Sequence, residues 1–305
     1  MTALYGAIET GGTKCICVVA SSPTQILAET RIPTGEPRET TAAIADFFHR
    51  YRQETGGQIQ RAGLASFGPL DLKPSSPTFG QILATPKLQW KGWDLLANME
   101  NALGVPVFLD TDVNAAALGE HLWGAAQGLT NFIYLTIGTG IGGGGMIESQ
   151  LIHGLLHPEM GHILIPHDRS ADPFEGVCPF HGDCFEGLAS GPALEKRWGT
   201  TASHISPEHP AWDLEVQYIA AGLHSLICAL SPQRIILGGG VMQQQFLFER
   251  IRLKVRESLA GYISSSKILH EMDEYIVPPA LGKQAGALGA LALAVSGMGV
   301  TRRAR

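Results

Sequence analysis

Cys178, His181 and Cys184 stand at even three-residue steps in CPFHGDC, residues 178–184. Two thiols and an imidazole on so short a loop have the donor types and spacing of a zinc site, since Zn2+ takes sulfur and nitrogen ligands in a tetrahedron. Just upstream, HPEMGHILI (157–165) brings His157 and His162, and His153 and His167 lie nearby. Nothing else in the chain resembles a zinc finger. The metal could therefore do chemistry or hold a loop. A catalytic zinc keeps one position open for water, whereas a structural one fills all four.

A second set of chemical groups sits in VPVFLDTDVNAAALGE (105–120). The apolar run ending at Asp110 reads as a strand, and the alanine-rich stretch from Asp112 reads as a helix over 112–126. Asp112 thus opens a helix, where a carboxylate can cap the backbone or point into a cleft and act as a base. Asp110 is its neighbour and rival. Asn114 is placed either to contact a substrate or to cap the same helix.

The third set is glycine. ETGGTK (9–14), TIGTGIGGGG (136–145) and ILGGGV (236–241) each put glycines directly after an apolar run. Such turns bring backbone N–H groups close to phosphate. Gly138 to Gly143 formally match G-x-G-x-x-G, but that fingerprint must open a helix. Gly142 to Gly145 are four consecutive glycines, each costly in a helix, so a dinucleotide fold is disfavoured. A Walker A loop is absent. Three glycine clusters after strands, two of them with threonine hydroxyls, point instead to a divided phosphate clamp.

These groups need elements to hold them. ALYGAIETGGTKCICVVA (3–20) reads as strand, glycine turn and strand, and NFIYLTIGTGIGGGGMI (131–147) repeats that pattern. Similar hairpins near the start and the middle suggest two related halves. Apolar residues at helical spacing predict helices over 37–55, 211–231 and 245–261. Hairpins mixed with strand–helix alternation argue for an α/β fold with a mixed sheet in each half, divided near residue 125. The small-residue apolar stretch around 284–297 is short for a membrane span and reads as a buried closing helix that packs back on the first half.

Several motifs together resemble the ROK family of sugar kinases and repressors. The longest is LTIGTGIGGGGMIESQLIHGLLHPEMGH (135–162). With it, in order along most of the chain, are ETGGTK, SFGP (66–69), TPKLQW (85–90), LDTDVNAAALGE (109–120), CPFHGDCFEGLASGP (178–192) and ILGGGV. ETGGTK, TPKLQW and the C-x-x-H-x-x-C loop are most similar to the bacterial fructokinase branch. The resemblance implies an actin-like, ribonuclease H-like ATPase fold in two domains, 1–125 and 126–305, and ATP-dependent phosphorylation of a hexose, with fructose favoured. It implies Asp112 as catalytic base and Gly11, Gly12, Thr13, Lys14, Gly138, Thr139, Gly140, Pro192, Gly238, Gly239 and Gly240 at ATP. Glu159, His162 and Glu186 fall at the sugar, with Asn114 a further candidate. His162, Cys178, His181 and Cys184 become the four ligands of a structural Zn2+, with His153, His157 and His167 off the pattern. Mg2+ with ATP and a homodimer are also implied. Two departures stand out: Glu9 replaces the commoner first-loop Asp, and Thr111 the Asn that often precedes the base.

Composition sets limits on partners. A net charge of −6, with no basic cluster beyond the terminal TRRAR, makes nucleic acid an unlikely partner. The phosphate hairpin begins by residue 4, leaving no helix-turn-helix ahead of it, which also speaks against the repressor branch. Five cysteines without a signal-like N-terminus point to the cytosol and to metal binding or free thiols.

Overall fold

A computed structural model describes residues 3–85 and 87–303. The chain forms two compact units. The first holds residues 1–128, 151–158 and 281–305, and the second holds 129–150 and 159–280.

In the first unit, strands β1 (Leu4–Thr10), β2 (Lys14–Ser22), β3 (Gln25–Pro33), β4 (Ile59–Ser66) and β5 (Val107–Thr111) form one sheet in the order β3-β2-β1-β4-β5. β1 and β2 are antiparallel, as the hairpin reading expects, while β1–β4 and β4–β5 are parallel. β3 alternates between exposed and half-buried positions along its length, the pattern of an edge strand with one face to solvent. β5 is the other edge, yet every residue in it is buried. Its backbone is covered where Leu109 and Val300 exchange N–H···O bonds of 2.8 and 2.9 Å, which removes an open edge.

Helices α1 (Pro37–Thr55), α2 (Leu95–Leu103) and α3 (Asp112–Trp123) belong to this unit. α1 buries Ile44, Ala45 and Phe48 on the core formed by Ile8, Leu64, Leu95 and Met99. α10 (Ala285–Ser296) packs on α3, β1 and β4. Small residues make this possible: a Cβ on Gly63 of β4 would run into the carbonyl of Ala290. Glu120, fully buried, ties the end of α3 to the approach of α10 by accepting from Ala125 N (2.6 Å) and Leu281 N (2.9 Å).

In the second unit, β6 (Phe132–Ile137), β7 (Ile141–Ile147), β8 (Gln150–Leu151), β9 (Ile235–Gly238) and β10 (Ile276–Val277) run in the order β10-β9-β6-β7-β8. Read by chain order within the sheet, this is the same arrangement as the first, and β6–β7 is again an antiparallel hairpin beside a parallel β6–β9 pair. The glycine run is strand: Gly142, Gly143, Gly144 and Gly145 pair with Thr136, Leu135, Tyr134 and Ile133. Helices α4 (Phe185–Ala189), α5 (Gly191–Trp198), α6 (Ala211–Leu230) and α7 (Phe246–Leu259) follow, with short α8 (Ser266–Leu269) and α9 (Met272–Tyr275). No helix among the described residues is long and apolar enough to cross a membrane.

Candidate active site and metal centre

The β5–α3 corner separates the two aspartates. Asp110 is fully buried, and its Oδ1 accepts from Thr111 N at 2.8 Å and Asn114 Nδ2 at 2.9 Å. Its Oδ2 lies 2.9 Å from His153 Nε2. Wholly buried and already holding three partners, this carboxylate presents no exposed oxygen to a substrate. Asp112 begins α3 half-buried, with Oδ1 accepting from Val113 N at 2.9 Å. It is not the helix cap. Thr111 takes that role, its Oγ1 accepting from Asn114 N at 3.1 Å. Thr111 is buried by doing so, and Asn114 is 1% exposed with its amide nitrogen turned to Asp110 and to Ile152 O (3.3 Å).

The first glycine loop is the β1–β2 turn. Gly11 N donates to Lys14 O at 2.9 Å, and Thr34 Oγ1 donates to Gly11 O at 2.8 Å, so the loop is braced from β3's end. Gly12, Thr13 and Lys14 are exposed at its tip. A Cβ on Gly12 would sit 3.6 Å from Lys87 Cε, which brings a second lysine over the same loop. Glu9 faces α10 at Gly286. Burial raises its pKa, and the charge of Lys14 acts in the opposite direction.

In the second unit, the β6–β7 turn carries Gly138, Thr139 and Gly140. Gly138 O accepts from Gly191 N at 2.7 Å, which docks the start of α5 with Pro192 against the turn. Gly238 ends β9, and Gly239 has φ 96°, a left-handed value that favours glycine, at the bend toward Gly240. Gly138, Thr139, Gly191, Pro192, Gly240 and Val241 line a cavity of about 560 Å3, completed by Glu195, Thr201, Ala202 and Ser203. Of the residues expected at ATP in this half, Gly138, Thr139, Pro192 and Gly240 line this space, while Gly140, Gly238 and Gly239 are not among its lining residues. Glu195, its only carboxylate, was not singled out by the sequence.

Glu159 and Glu186 form the second acid pair. Glu186, in the first turn of α4, accepts from Ile141 N at 2.8 Å. Burial and then the charge of Glu186 push Glu159 up to about 7.

His162, Cys178, His181 and Cys184 converge, with one donor atom from each lying within 4.8 Å of the others. His162 Nδ1 is 3.7 Å from Cys178 Sγ and 3.6 Å from Cys184 Sγ, and His181 Nδ1 is 3.6 Å from Cys178 Sγ. Zn–S bonds of about 2.3 Å and Zn–N bonds of about 2.0–2.1 Å on a tetrahedron give S···N edges of roughly 3.5 Å, so these residues fit the ion. The loop closes on itself, with Cys178 N and O bonded to Gly182 O and N at 3.2 and 3.0 Å. It joins its neighbours through Phe185 N→Ile163 O at 2.9 Å. His167 lies outside the cluster and braces it, with Nδ1 2.9 Å from Asp183 Oδ2 between two of the ligands. His157 Nε2 accepts from Leu70 N at 3.0 Å, and burial lowers its pKa.

Comparison with known proteins agrees with this geometry. The sequence model of the ROK family matches residues 5–296. The fructokinase of Zymomonas mobilis subsp. mobilis is 42% identical over 296 residues, covering 96% of this chain and 97% of that protein. The ROK hexokinase structure from Thermus thermophilus superposes with a TM-score of 0.77 at 29% identity, covering 96% and 98% of the two chains. A ROK glucokinase from Streptomyces griseus, solved with glucose and AMPPNP, gives 0.71 at 25% identity, covering 96% and 100%.

Proposed function

The chain belongs to the ROK family, and from that premise we propose that it is an ATP-dependent fructokinase converting D-fructose to D-fructose 6-phosphate. The kinase class is supported by similarity to sugar kinases over nearly the whole chain. Fructose is favoured because the fructokinase stands at 42% identity and the hexokinase and glucokinase at 29% and 25%.

The observation that carries the mechanism is the division of labour at the β5–α3 corner. Asp110 is spent on internal partners, while Asp112 is half-buried at the head of α3. Asp112 takes the proton of the sugar hydroxyl as that oxygen bonds to the γ-phosphorus of ATP. The bond from the γ-phosphorus to the bridging oxygen breaks, and ADP leaves with the electron pair. Catalysis of this kind rests on positioning and on neutralising phosphate charge. Gly11 N and Gly138 N close their turns on Lys14 O and Gly140 O, at 2.9 Å each, so the N–H groups of Gly12 and Thr13 in the first loop, with Lys14, and of Thr139 and Gly140 in the second supply part of that. Pro192 and Gly238 to Gly240 border the nucleoside. Mg2+ bound with the nucleotide would supply positive charge to the phosphates during transfer.

Glu159 and Glu186 accept hydrogen bonds from sugar hydroxyls, which suits a polyol. His162, Cys178, His181 and Cys184 would hold Zn2+ with four protein ligands and no position open to substrate, which would make the ion structural. His162 meets both sulfurs through Nδ1, which leaves its Nε2–H to donate to the sugar. Asn114 stays on the structural side, holding Asp110.

A coupled ADP-release assay over fructose, mannose, glucose and N-acetylated hexoses tests the reading, with the product's phosphate placed by NMR. Fructose should give the highest kcat/KM. A clear preference for glucose or mannose would move the chain to another branch of the family.

A further inference from the structure

His153 belongs to none of the roles above, yet it stands beside the most buried acid of the β5–α3 corner. Its Nε2 lies 2.9 Å from Asp110 Oδ2 and 3.2 Å from Oδ1. Asp110's side chain is wholly buried, while that of His153 is 33% exposed. The remaining donors to Asp110, Thr111 N and Asn114 Nδ2, both fall on Oδ1. They come from the residues immediately before and two after Asp112. One carboxylate therefore ties together the end of β5, the first turn of α3 and the segment that carries His153.

We propose that His153, as an imidazolium paired with Asp110, is a positioning residue for the phosphoryl-transfer site: it neutralises the buried carboxylate two residues from Asp112 and holds the first turn of α3 in one geometry. The proposal rests on the reading of Asp112 as base. The physical need is plain. A buried carboxylate without a compensating charge is costly, and a second negative charge so near the base would also repel the nucleotide's phosphates. A neutral pair removes both problems.

Protonation follows the same geometry. Burial favours the neutral ring, but hydrogen bonding and charge from Asp110 together outweigh it, and the pKa of His153 lies above the ordinary histidine value. The titratable groups facing His153 are Asp110 from β5 and His157 from its own segment, and α3 contributes only the neutral amide of Asn114. His157 is held neutral by burial, with its Nε2 occupied by Leu70 N–H. The ion pair is thus present below the pKa of His153 and is lost as pH rises through that pKa, which lies above the ordinary histidine value.

Two variants and one titration test this. His153→Gln keeps an N–H donor for Asp110 but cannot titrate, and His153→Leu removes both charge and donor. Kinetics would be read with fructose and Mg-ATP from pH 6 to 10. His153→Leu should lose kcat by roughly tenfold to a hundredfold, the scale of a small misplacement of a reacting group, with KM for both substrates nearly unchanged. His153→Gln should recover most of that kcat at neutral pH and flatten the alkaline fall expected of the parent. Ring 15N chemical shifts should show His153 titrating above ordinary histidines in the parent and at the ordinary value in Asp110→Asn. Wild-type kcat in His153→Leu, an unchanged alkaline fall in His153→Gln, or an ordinary His153 titration in the parent would each overturn the proposal. The NMR result does not depend on which residue is the base. If Asp112→Asn kept full turnover, that reading would fail while the ion pair could still be seen.

Discussion

The two units share a strand order but treat their acid pairs in opposite ways. In the first, Asp110 and Asp112 sit two residues apart, and one of them is withdrawn: buried, given two N–H donors and an imidazole. In the second, Glu159 and Glu186 are left facing one another, and burial plus mutual repulsion push Glu159 up to about 7. The contrast shows how one sheet plan serves two kinds of work. On the proposed reading, a base serves best as the single proton acceptor of its corner, with its neighbour neutralised internally, and the second pair offers carboxylate oxygens that can accept from a polyol's hydroxyls.

The largest expected effect breaks that contrast at its first half. Asp112→Asn should lower kcat by about 10²–10⁴-fold, the usual contribution of a general base, and leave thermal melting unchanged. Asp110→Asn should do the reverse in emphasis, costing about 2 kcal/mol of stability through a lost charge-assisted hydrogen bond, with a visibly lower Tm. If the aspartates exchanged these phenotypes in paired ADP-release and melting measurements, Asp110 would be the working acid.

Next in size is the metal. Removing Zn2+ by chelation, or Cys178→Ser, should raise KM for fructose by more than about tenfold and move KM for ATP far less. The reason is local. The loop that ends at Cys184 runs straight into α4 and Glu186, and His162 follows Glu159 by three residues. Elemental analysis should find one zinc per chain. A metal-free preparation with full affinity for fructose would remove the ion from the mechanism.

Much of this could be read from the residues alone. Both hairpins were legible because the alternation from apolar run to glycine turn is local, and α1, α6 and α7 because their apolar residues recur at helical spacing. The metal ligands were legible through CPFHGDC, with His162 reached through the family resemblance. What stayed hidden depends on contacts distant in sequence or on elements with weak patterns. The Asp110–His153 pair spans 43 residues. Thr111's capping role displaces Asp112 from a cap it could equally have been. α4 and α5 are divided by Ser190, and Gly187 and Gly191 blur any helical period across residues 185–198. β8 and β10 are two residues long, too short for any alternation. Lys87 reaches the first loop from a stretch with no strand or helix signal of its own.

A smaller effect sharpens the second half of the comparison. Glu159 carries a proton below about 7 and is a carboxylate above it, so KM for fructose should fall as pH rises through that value. Stability should fall over the range leading up to that value. An acid whose folded pKa is raised favours the folded state below its unfolded pKa, and that advantage is lost as pH rises toward 7. Glu186→Gln should lower the inflection only in part, because burial is the larger cause and remains. An inflection unchanged in Glu186→Gln would show that the two acids do not sense one another.

The smallest effect distinguishes two glycines that look alike in sequence. Gly63 lies within β4 and Gly140 in the β6–β7 turn, each closely packed against something else, but the neighbours differ in kind. A Cβ at Gly63 meets the backbone carbonyl of Ala290 in α10, which cannot yield without moving a helix. A Cβ at Gly140 falls 2.5 Å from Glu186 Oε2, the far end of a flexible side chain. Gly140→Ala should therefore lower Tm by no more than about three degrees, since a rotamer change costs roughly 0.5–1.5 kcal/mol at most. It should still raise KM for fructose a few-fold, because the carboxylate that shifts is the one held by Ile141 N. Gly63→Ala should destabilise far more and leave KM of the folded fraction alone. If Gly140→Ala matched Gly63→Ala in melting and left KM untouched, Glu186 would be serving the fold of the second unit rather than the sugar.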